Sequence, residues 1–359
     1  MIQEMMTSKL KKIIALGLCG VMLFTATACG GSESSESEKS TSPSESLLEI
    51  TDEQEKAAVE DAKKMVEEMD REPRVIATSP ATVEIFKRLD MDLVGVCKSN
   101  LQKTPKRYEK LPKVGMPMSP DMEKVAALKP DWIFSPVSLQ GDLKPKYEAI
   151  DAEFGFLNLS SVAGMYRSIA ELGDIFGKEK EAKVLVDEFK DFYDDYSKKN
   201  AGKEKPKVMI LMGLPGSYIV ATENSYVGSL VEMAGGENVY AGTDQEFLTV
   251  NTEDMKTKEP DIILRTAHAL PDTVVEMFKK EFKENDIWKH FDAVKNDRVY
   301  DLTYENFGMS ANFRYPKALA ELQPILYPEN KKDLKKAKNN SDKAIDDAKK
   351  SEASTKSQD

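Results

Sequence analysis

Histidine and cysteine are scarce in this chain, and their scarcity excludes several classes of site. The 359 residues include two histidines, His268 and His290, and three cysteines, none of them in a CxxC pair. A His-rich metal site, a zinc ribbon and a disulfide-stapled scaffold are therefore excluded. The chain also lacks a G-x-S-x-G elbow, a Walker loop and a G-x-G-x-x-G turn after a strand, so we predict no enzyme. A hydrolase that uses a pair of carboxylates stays open as the alternative, since 62 acidic residues offer many pairs.

Positive charge is in deficit as well. Lys and Arg together number 51 against 62 for Asp and Glu, which gives a formal net charge of -11. Nucleic-acid binding depends mainly on neutralising phosphates with Lys and Arg, so an acidic chain of this size is a poor candidate for it. We predict no nucleic-acid partner.

The N-terminal segment has the pattern of an export signal. Lys9, Lys11 and Lys12 precede an apolar run over residues 13–24, which is too short to cross a bilayer comfortably as a helix. Small residues follow, and then Cys29, in a pattern that resembles a bacterial lipobox. We predict a lipoprotein signal peptide over residues 1–28, a lipidated Cys29 and a flexible tether over residues 29–48. An ordinary secretory signal, with Cys29 left unmodified, is the alternative.

The rest of the chain predicts two similar lobes. Strands alternate with helices, and the chain contains an internal repeat in which Pro130-Asp131 corresponds to Pro260-Asp261. A glutamate lies seven residues before the proline of each pair, at Glu123 and at Glu253. The fold class is α/β, with two Rossmann-like lobes whose mostly parallel sheets are joined by one long rigid helix. The predicted parts are an N-terminal lobe over 49–177, an interlobe helix over 178–203, a C-terminal lobe over 204–329 and a disordered Lys-rich tail over 330–359.

Ligands of two-lobed α/β proteins bind in the cleft, at the carboxyl ends of the strands. The sequence places two thioethers, Met116 and Met118, in one loop of the first lobe, and His268 directly after a strand of the second. A thioether and an imidazole on opposite walls would suit the two axial positions of haem iron. A gap-filling methionine and a hydrogen-bonded loop histidine are the plain structural alternatives.

Several long stretches then resemble one family. They are residues 74–89 (RVIATSPATVEIFKRL), 114–128 (VGMPMSPDMEKVAAL), 261–268 (DIILRTAH) and 285–302 (NDIWKHFDAVKNDRVYDL). The similarity covers about residues 72–328 and is to substrate-binding lipoproteins of ABC importers, especially the haem-binding lipoproteins of iron-regulated surface determinant systems. The resemblance implies capture of haem b (iron protoporphyrin IX) as a transported ligand, and a location on the extracellular face of the cell membrane, anchored through Cys29, of a Gram-positive cell. Siderophore or cobalamin binding by the same importer class is the alternative.

Site residues follow from that resemblance, position by position. It places the iron ligands at Met118 and His268 and the permease contacts at Glu123 and Glu253. Met116 departs from the family pattern and is a competing sulfur.

The loops after the strands, rather than the resemblance, supply the candidates for the haem edge and propionates. These are Ala81, Thr82, Pro215, Gly216 and Ser217, with help from Lys103, Lys106, Arg107 or Tyr108. The implied partners of a monomeric chain are an ABC permease with its ATPase, and an upstream surface haem-transfer protein.

Overall fold

The computed structural model describes residues 14–16, 43–50, 52–100, 102–249, 251–268 and 270–355. The strands are β1 (Ile14–Leu16), β2 (Val75–Ala77), β3 (Gly95–Val96), β4 (Gly115–Met116), β5 (Ser119–Pro120), β6 (Trp132–Pro136), β7 (Glu153–Leu157), β8 (Lys207–Leu214), β9 (Ser217–Ala221), β10 (Glu237–Asn238), β11 (Phe247–Leu248), β12 (Ile262–Ala267) and β13 (Val299–Asp301). The helices are α1 (Pro43–Leu48), α2 (Glu53–Glu67), α3 (Pro80–Arg88), α4 (Met122–Ala127), α5 (Gln140–Tyr147), α6 (Val162–Ile175), α7 (Glu179–Ser197), α8 (Tyr226–Met233), α9 (Thr252–Thr257), α10 (Pro271–Glu284), α11 (Asp292–Lys295), α12 (Tyr315–Leu326) and α13 (Lys331–Thr355). Short 3-10 helices cover Lys106–Tyr108, Val137–Leu139 and Asp286–His290.

The first lobe is built on a parallel sheet of order β1-β7-β6-β2-β3. Its strands are short and apolar, as expected for a sheet covered by helices on both faces. Cys97, directly after β3, is buried and has no disulfide partner in the described chain, which confirms its interpretation as a small core residue. Of the predicted signal peptide, only the strand β1 is described. Cys29 lies outside the described residues.

The second lobe has a mixed sheet of order β11-β9-β8-β12-β13, with β10 also paired to β8. Strands β8, β12 and β13 run parallel, whereas β9 returns antiparallel to β8 through a tight hairpin. The central strands β8 and β12 are buried almost throughout. Two lobes with mostly parallel sheets were predicted, and the fold confirms them.

The two lobes share the same local structure around the repeated Pro-Asp pairs, which confirms the internal repeat found in the sequence. Helices α4 and α9 have the same length, and each is capped by a side chain, Asp121 or Asn251, that accepts a hydrogen bond from a backbone N–H three residues on. Asp131 then accepts the backbone N–H of Arg74, just before β2, and Asp261 accepts that of Lys207, the first residue of β8, both at 2.8 Å. Helices α4 and α9 therefore hold equivalent places in their two lobes.

Two successive helices, α6 and α7, join the lobes. Helix α7 corresponds to the helix predicted over 178–203, and α6 packs along it. Tyr166 of α6 stacks on Phe189 of α7 with ring centroids 4.5 Å apart, and Tyr315 of α12 meets both rings edge-on. Because these rings are large and closely packed, the junction resists bending.

The predicted flexible tether is wrong over its last residues. Residues 43–48 form helix α1, which packs against α7. Ser44 is fully buried, and both its backbone N–H and its hydroxyl donate to the carboxylate of Asp194, at 3.1 and 3.0 Å. The polar composition predicted a flexible segment. The prediction failed because the residue that orders Ser44 lies 150 positions away in the chain, where composition does not reveal it.

The disordered tail predicted over 330–359 is wrong for residues 331–355, which form helix α13 against α10, α12 and β13. The packed face consists of small side chains, Ala337, Ser341, Ala344 and Ala348, all buried. The Ser341 hydroxyl accepts the backbone N–H of Asp301 at 2.8 Å, so it satisfies a donor on the outer strand β13. Small residues allow close approach of the helix while contributing little hydrophobicity, which is why composition predicted disorder.

Ala337→Glu is expected to undock α13. Ala337 is fully buried, so a glutamate there is overpacked and its charge is desolvated, at a cost of about 2–4 kcal/mol of unfolding free energy. Asn339→Glu, two residues away on the exposed side, is the matched control. Thermal unfolding and proteolysis of the tail measure the effect. Equal melting temperatures for the two variants would contradict the packing described here.

A buried pair of carboxyl groups lies where α2 packs on α6. Glu55 of α2 and Glu171 of α6 are both buried, and their side chains interact. Burial, reinforced by the neighbouring Glu55, raises the pKa of Glu171 to about 9. The folded protein therefore holds a proton that the unfolded chain releases near pH 4.5. Stability is fully present below that pH and is lost as the pH rises toward 9.

Glu171→Gln is expected to remove this pH dependence. The amide needs no proton, so relative to the parent protein the variant should gain stability as the pH rises above 4.5, by up to about 1.4 kcal/mol per pH unit, and little at pH 4.5. Denaturant unfolding at several pH values measures the difference. Glu188→Gln, an exposed glutamate on α7, is the control and should leave the slope unchanged. The same slope in Glu171→Gln as in the parent protein would exclude a shared proton at this pair.

Candidate functional site

The predicted thioethers lie on a hairpin beyond the carboxyl end of β3. Lys113 pairs in parallel with Val96, and the Lys98 N–H donates to the Gly115 carbonyl at 2.7 Å, so the chain runs past the end of β3 into the β4–β5 turn. Gly115 has φ +105°, and an added Cβ would lie 2.8 Å from the Asp121 nitrogen. Only glycine fits there, and it fixes the direction of the hairpin.

Both thioethers on this hairpin are exposed. Met118 is 60% exposed and Met116 is 41% exposed. Single exposed apolar side chains are ordinary on protein surfaces, but here two of them stand together on one short turn. The structural alternative of gap-filling core methionines does not apply to either residue.

His268 lies at the carboxyl end of β12, beside the β8–β9 hairpin. Its backbone N–H donates to the carbonyl of Gly213 at 2.9 Å, and Leu214 and Ser217 pair across the hairpin turn. The structure therefore brings Pro215, Gly216 and Ser217 to the same sheet edge as His268. The imidazole is half-buried, and burial lowers the pKa of His268, so its neutral form is favoured. A neutral imidazole is the form that binds a metal.

Helix α3 begins just beyond the carboxyl end of β2. Ser79 caps it, and Ala81 is half-buried in its first turn. The prediction of Thr82 as a propionate donor is wrong. Its backbone N–H already donates to the Ser79 hydroxyl at 3.1 Å, and its own hydroxyl donates to the Ser79 carbonyl at 2.8 Å. The capping box thus uses both donors of Thr82.

The predicted contact through Tyr108 is also wrong. Tyr108 is buried in the core, and its hydroxyl donates to the carbonyl of Met91, just after the last turn of α3. Arg107 is held at the same end of α3 by Asp90 and Asp92. That end is opposite to the capped start of α3. Lys106 is exposed in the same short helix, and its role stays a prediction.

Contacts outside α6 and α7 also link the lobes. Ser160 donates to the carboxylate of Glu246 at 2.6 Å, and the Ala311 N–H donates to the Leu159 carbonyl at 2.7 Å. The guanidinium of Arg88 lies 4.1 Å from the ring centroid of Phe313. Sequence patterns do not reveal these pairs because their members lie far apart in the chain. These contacts restrict the motion of one lobe relative to the other.

The two glutamates predicted to contact the permease occupy equivalent surface positions in the two lobes. Glu123 and Glu253 both lie in the first turns of short helices, α4 and α9, and both are exposed. Their equivalence follows from the repeat of the lobes.

The described residues contain no group of three or more His, Cys, Asp or Glu side chains that could hold a metal ion. None of the helices among those residues is long and apolar enough to cross a membrane.

Known proteins match most of the chain. The high-affinity heme uptake system protein IsdE of Staphylococcus aureus is 43% identical over 260 residues, which is 72% of this chain and 88% of that protein. The crystal structure of S. aureus IsdE complexed with heme superposes with a TM-score of 0.68 and 42% identity, covering 72% of this chain and all of the other.

A second solved structure agrees. An ABC transporter substrate-binding protein from Listeria monocytogenes EGD-e matches with a TM-score of 0.68 and 48% identity over 72% of this chain and 99% of the other. The profile described as "Periplasmic binding protein" covers residues 75–305, which includes β2 through β13. With two matching lobes around a helical junction, this chain belongs to the periplasmic binding protein family.

Proposed function

We propose that this chain binds haem between its lobes and delivers it to an ABC importer. The observation that carries the proposal is that a thioether and an imidazole, which together suit the two axial positions of haem iron, stand beyond strand ends of opposite lobes. Exposed Met118 lies in the β4–β5 turn, beyond the carboxyl end of β3 in one lobe, and half-buried His268 follows β12 in the other. The S. aureus relative is a high-affinity heme uptake system protein whose crystal structure was solved with heme, which supports the same ligand here.

Haem fits the available donors better than a bare metal ion would. The porphyrin supplies four nitrogens, so the protein needs only one or two axial ligands, and thioether with imidazole is a known axial pair. Magnesium and calcium require oxygen ligands, and structural zinc requires four Cys or His groups. The flat apolar macrocycle also suits a hairpin with two exposed thioethers, since its burial favours binding.

The propionate groups need hydrogen-bond donors at the cleft edge. The amide of Ala81 at the start of α3 and the turn Pro215, Gly216 and Ser217 remain our candidates, with Lys106 as a further one. With a net charge of -11 the chain as a whole repels an anionic ligand, so local donors must position these groups.

Delivery requires a surface for the importer. Glu123 and Glu253, exposed at equivalent places on the two lobes, are our proposed contacts with arginines of the two permease subunits. A lipid on Cys29 would hold the protein on the outer face of the membrane beside that permease and its ATPase. An upstream haem-transfer protein of the cell surface would supply the haem.

Titration of the purified full chain with haemin tests the function. We expect a saturable Soret shift at one haem per chain, which metal-free protoporphyrin should compete with only weakly because it offers no iron. A chain that binds cobalamin or a ferric siderophore but gives no Soret shift would overturn the proposal in favour of that other cargo.

A further inference from the structure

Leu270 stands next to the proposed iron ligand, and its side chain is 52% exposed. It lies two residues after His268 and directly before Pro271, which is buried and opens α10. Met116 and Met118 are exposed on the β4–β5 hairpin of the opposite lobe. Large exposed apolar side chains therefore stand at strand ends of both lobes, beside the thioether and the imidazole.

The backbone of Leu270 is left-handed, with φ +46° and ψ +61°. Four other non-glycine residues of the described chain have positive φ, namely Asp90, Lys129, Glu259 and Asp297. Each of those is a polar residue just after the C-terminal cap of a helix, a position where the left-handed conformation commonly closes the helix.

Leu270 differs from those four in place and in chemistry. It precedes a helix, where it serves as the N-cap of α10 without any side-chain capping bond. A leucine is unfavourable at this position on two counts, because glycine or asparagine suits the left-handed region and because serine, threonine or aspartate suits an N-cap.

We propose that Leu270 is a ligand contact, whose side chain is held outward by the left-handed backbone to pack on an apolar macrocycle beside the His268 ligand. The inference rests on the proposed haem function and adds a residue to that site. A flat apolar ligand would cover the exposed side chain and offset the unfavourable features, whereas an isolated turn gains nothing from leucine.

Leu270→Gly and Leu270→Asn separate the backbone role from the side-chain role. Both residues tolerate the left-handed region, so the melting temperature of the unliganded full chain should stay within about 2 °C of the parent or rise. Haem release to excess apomyoglobin should become about five- to tenfold faster, because contact area with the ligand is lost. Leu270→Met, which restores an apolar side chain, should release haem close to the parent rate.

Val184→Asn is the matched control, since Val184 is 57% exposed on α7, away from the strand ends. Parent-like release from Leu270→Gly and Leu270→Asn would overturn the inference while the haem function stands. An altered axial-ligand spectrum in these variants would also overturn it, because Leu270 would then act by positioning the loop of His268. Failure of the parent chain to bind haemin would instead overturn the proposed function, and the inference with it.

Discussion

Replacing His268 by alanine is expected to weaken haem binding by at least about 100-fold and to change the axial-ligand bands of the bound complex. His268 stands directly after β12, and its backbone N–H donates to the carbonyl of Gly213, which fixes the backbone there. Because burial lowers the pKa of His268, the neutral form that binds iron persists below the usual pH range of a histidine. Haemin titration and the absorption spectrum measure both effects.

The other histidine provides the control. His290 is exposed at the end of a 3-10 helix, so His290→Ala should leave the spectrum and the affinity unchanged. An unchanged spectrum in His268→Ala would remove histidine from the iron and leave only the general class of cargo carrier.

Met118→Ala is expected to give the second largest effect. Loss of the sulfur ligand should shift the ferric spectrum toward a five-coordinate or water-bound form and lower the affinity by about tenfold. Met118 is the more exposed of the two hairpin thioethers, at 60% against 41% for Met116, and so is the freer to reach an iron atom.

Met116→Ala is the matched control on the same hairpin. It should retain the parent spectrum and lose only contact area, with a change in affinity of about threefold or less. The reverse ranking of the two variants would move the sulfur ligand to Met116. Equal and small effects from both would mean that no hairpin sulfur binds the iron.

Short-range sequence patterns predicted the strands, the helices and their alternation, because these depend on residues that are close together in the chain. The repeated Pro-Asp entry to a strand appears at Asp131 and Asp261, where each carboxylate accepts the N–H of a neighbouring strand. Apolar strands alternating with helices then limit the fold to two covered sheets, and the carboxyl ends of those strands indicate where a ligand can bind.

Contacts between distant residues could not be predicted in the same way. Ser44 is ordered by Asp194, and the tail is ordered by small residues that fit against β13 and its neighbouring helices. Tyr108 looked like a loop donor in the sequence, but its hydroxyl is used by Met91 in the core. Neither composition nor spacing reveals which surface a small or polar residue will meet.

Leu270 shows a further limit of sequence reasoning. In the sequence Leu270 looks like any apolar residue. Only the structure shows that it differs from a core leucine, through its left-handed backbone and its exposed side chain. The signal available in the sequence was weak, consisting of an apolar residue between a candidate ligand and a helix-starting proline.

A crystal structure of the full chain with haemin would show whether Met118 and His268 both bind the iron. We expect one iron atom bonded to the Met118 sulfur on one side and to an imidazole nitrogen of His268 on the other, with the macrocycle between the lobes. Haem bound on an outer surface, or an iron atom that contacts neither side chain, would contradict it.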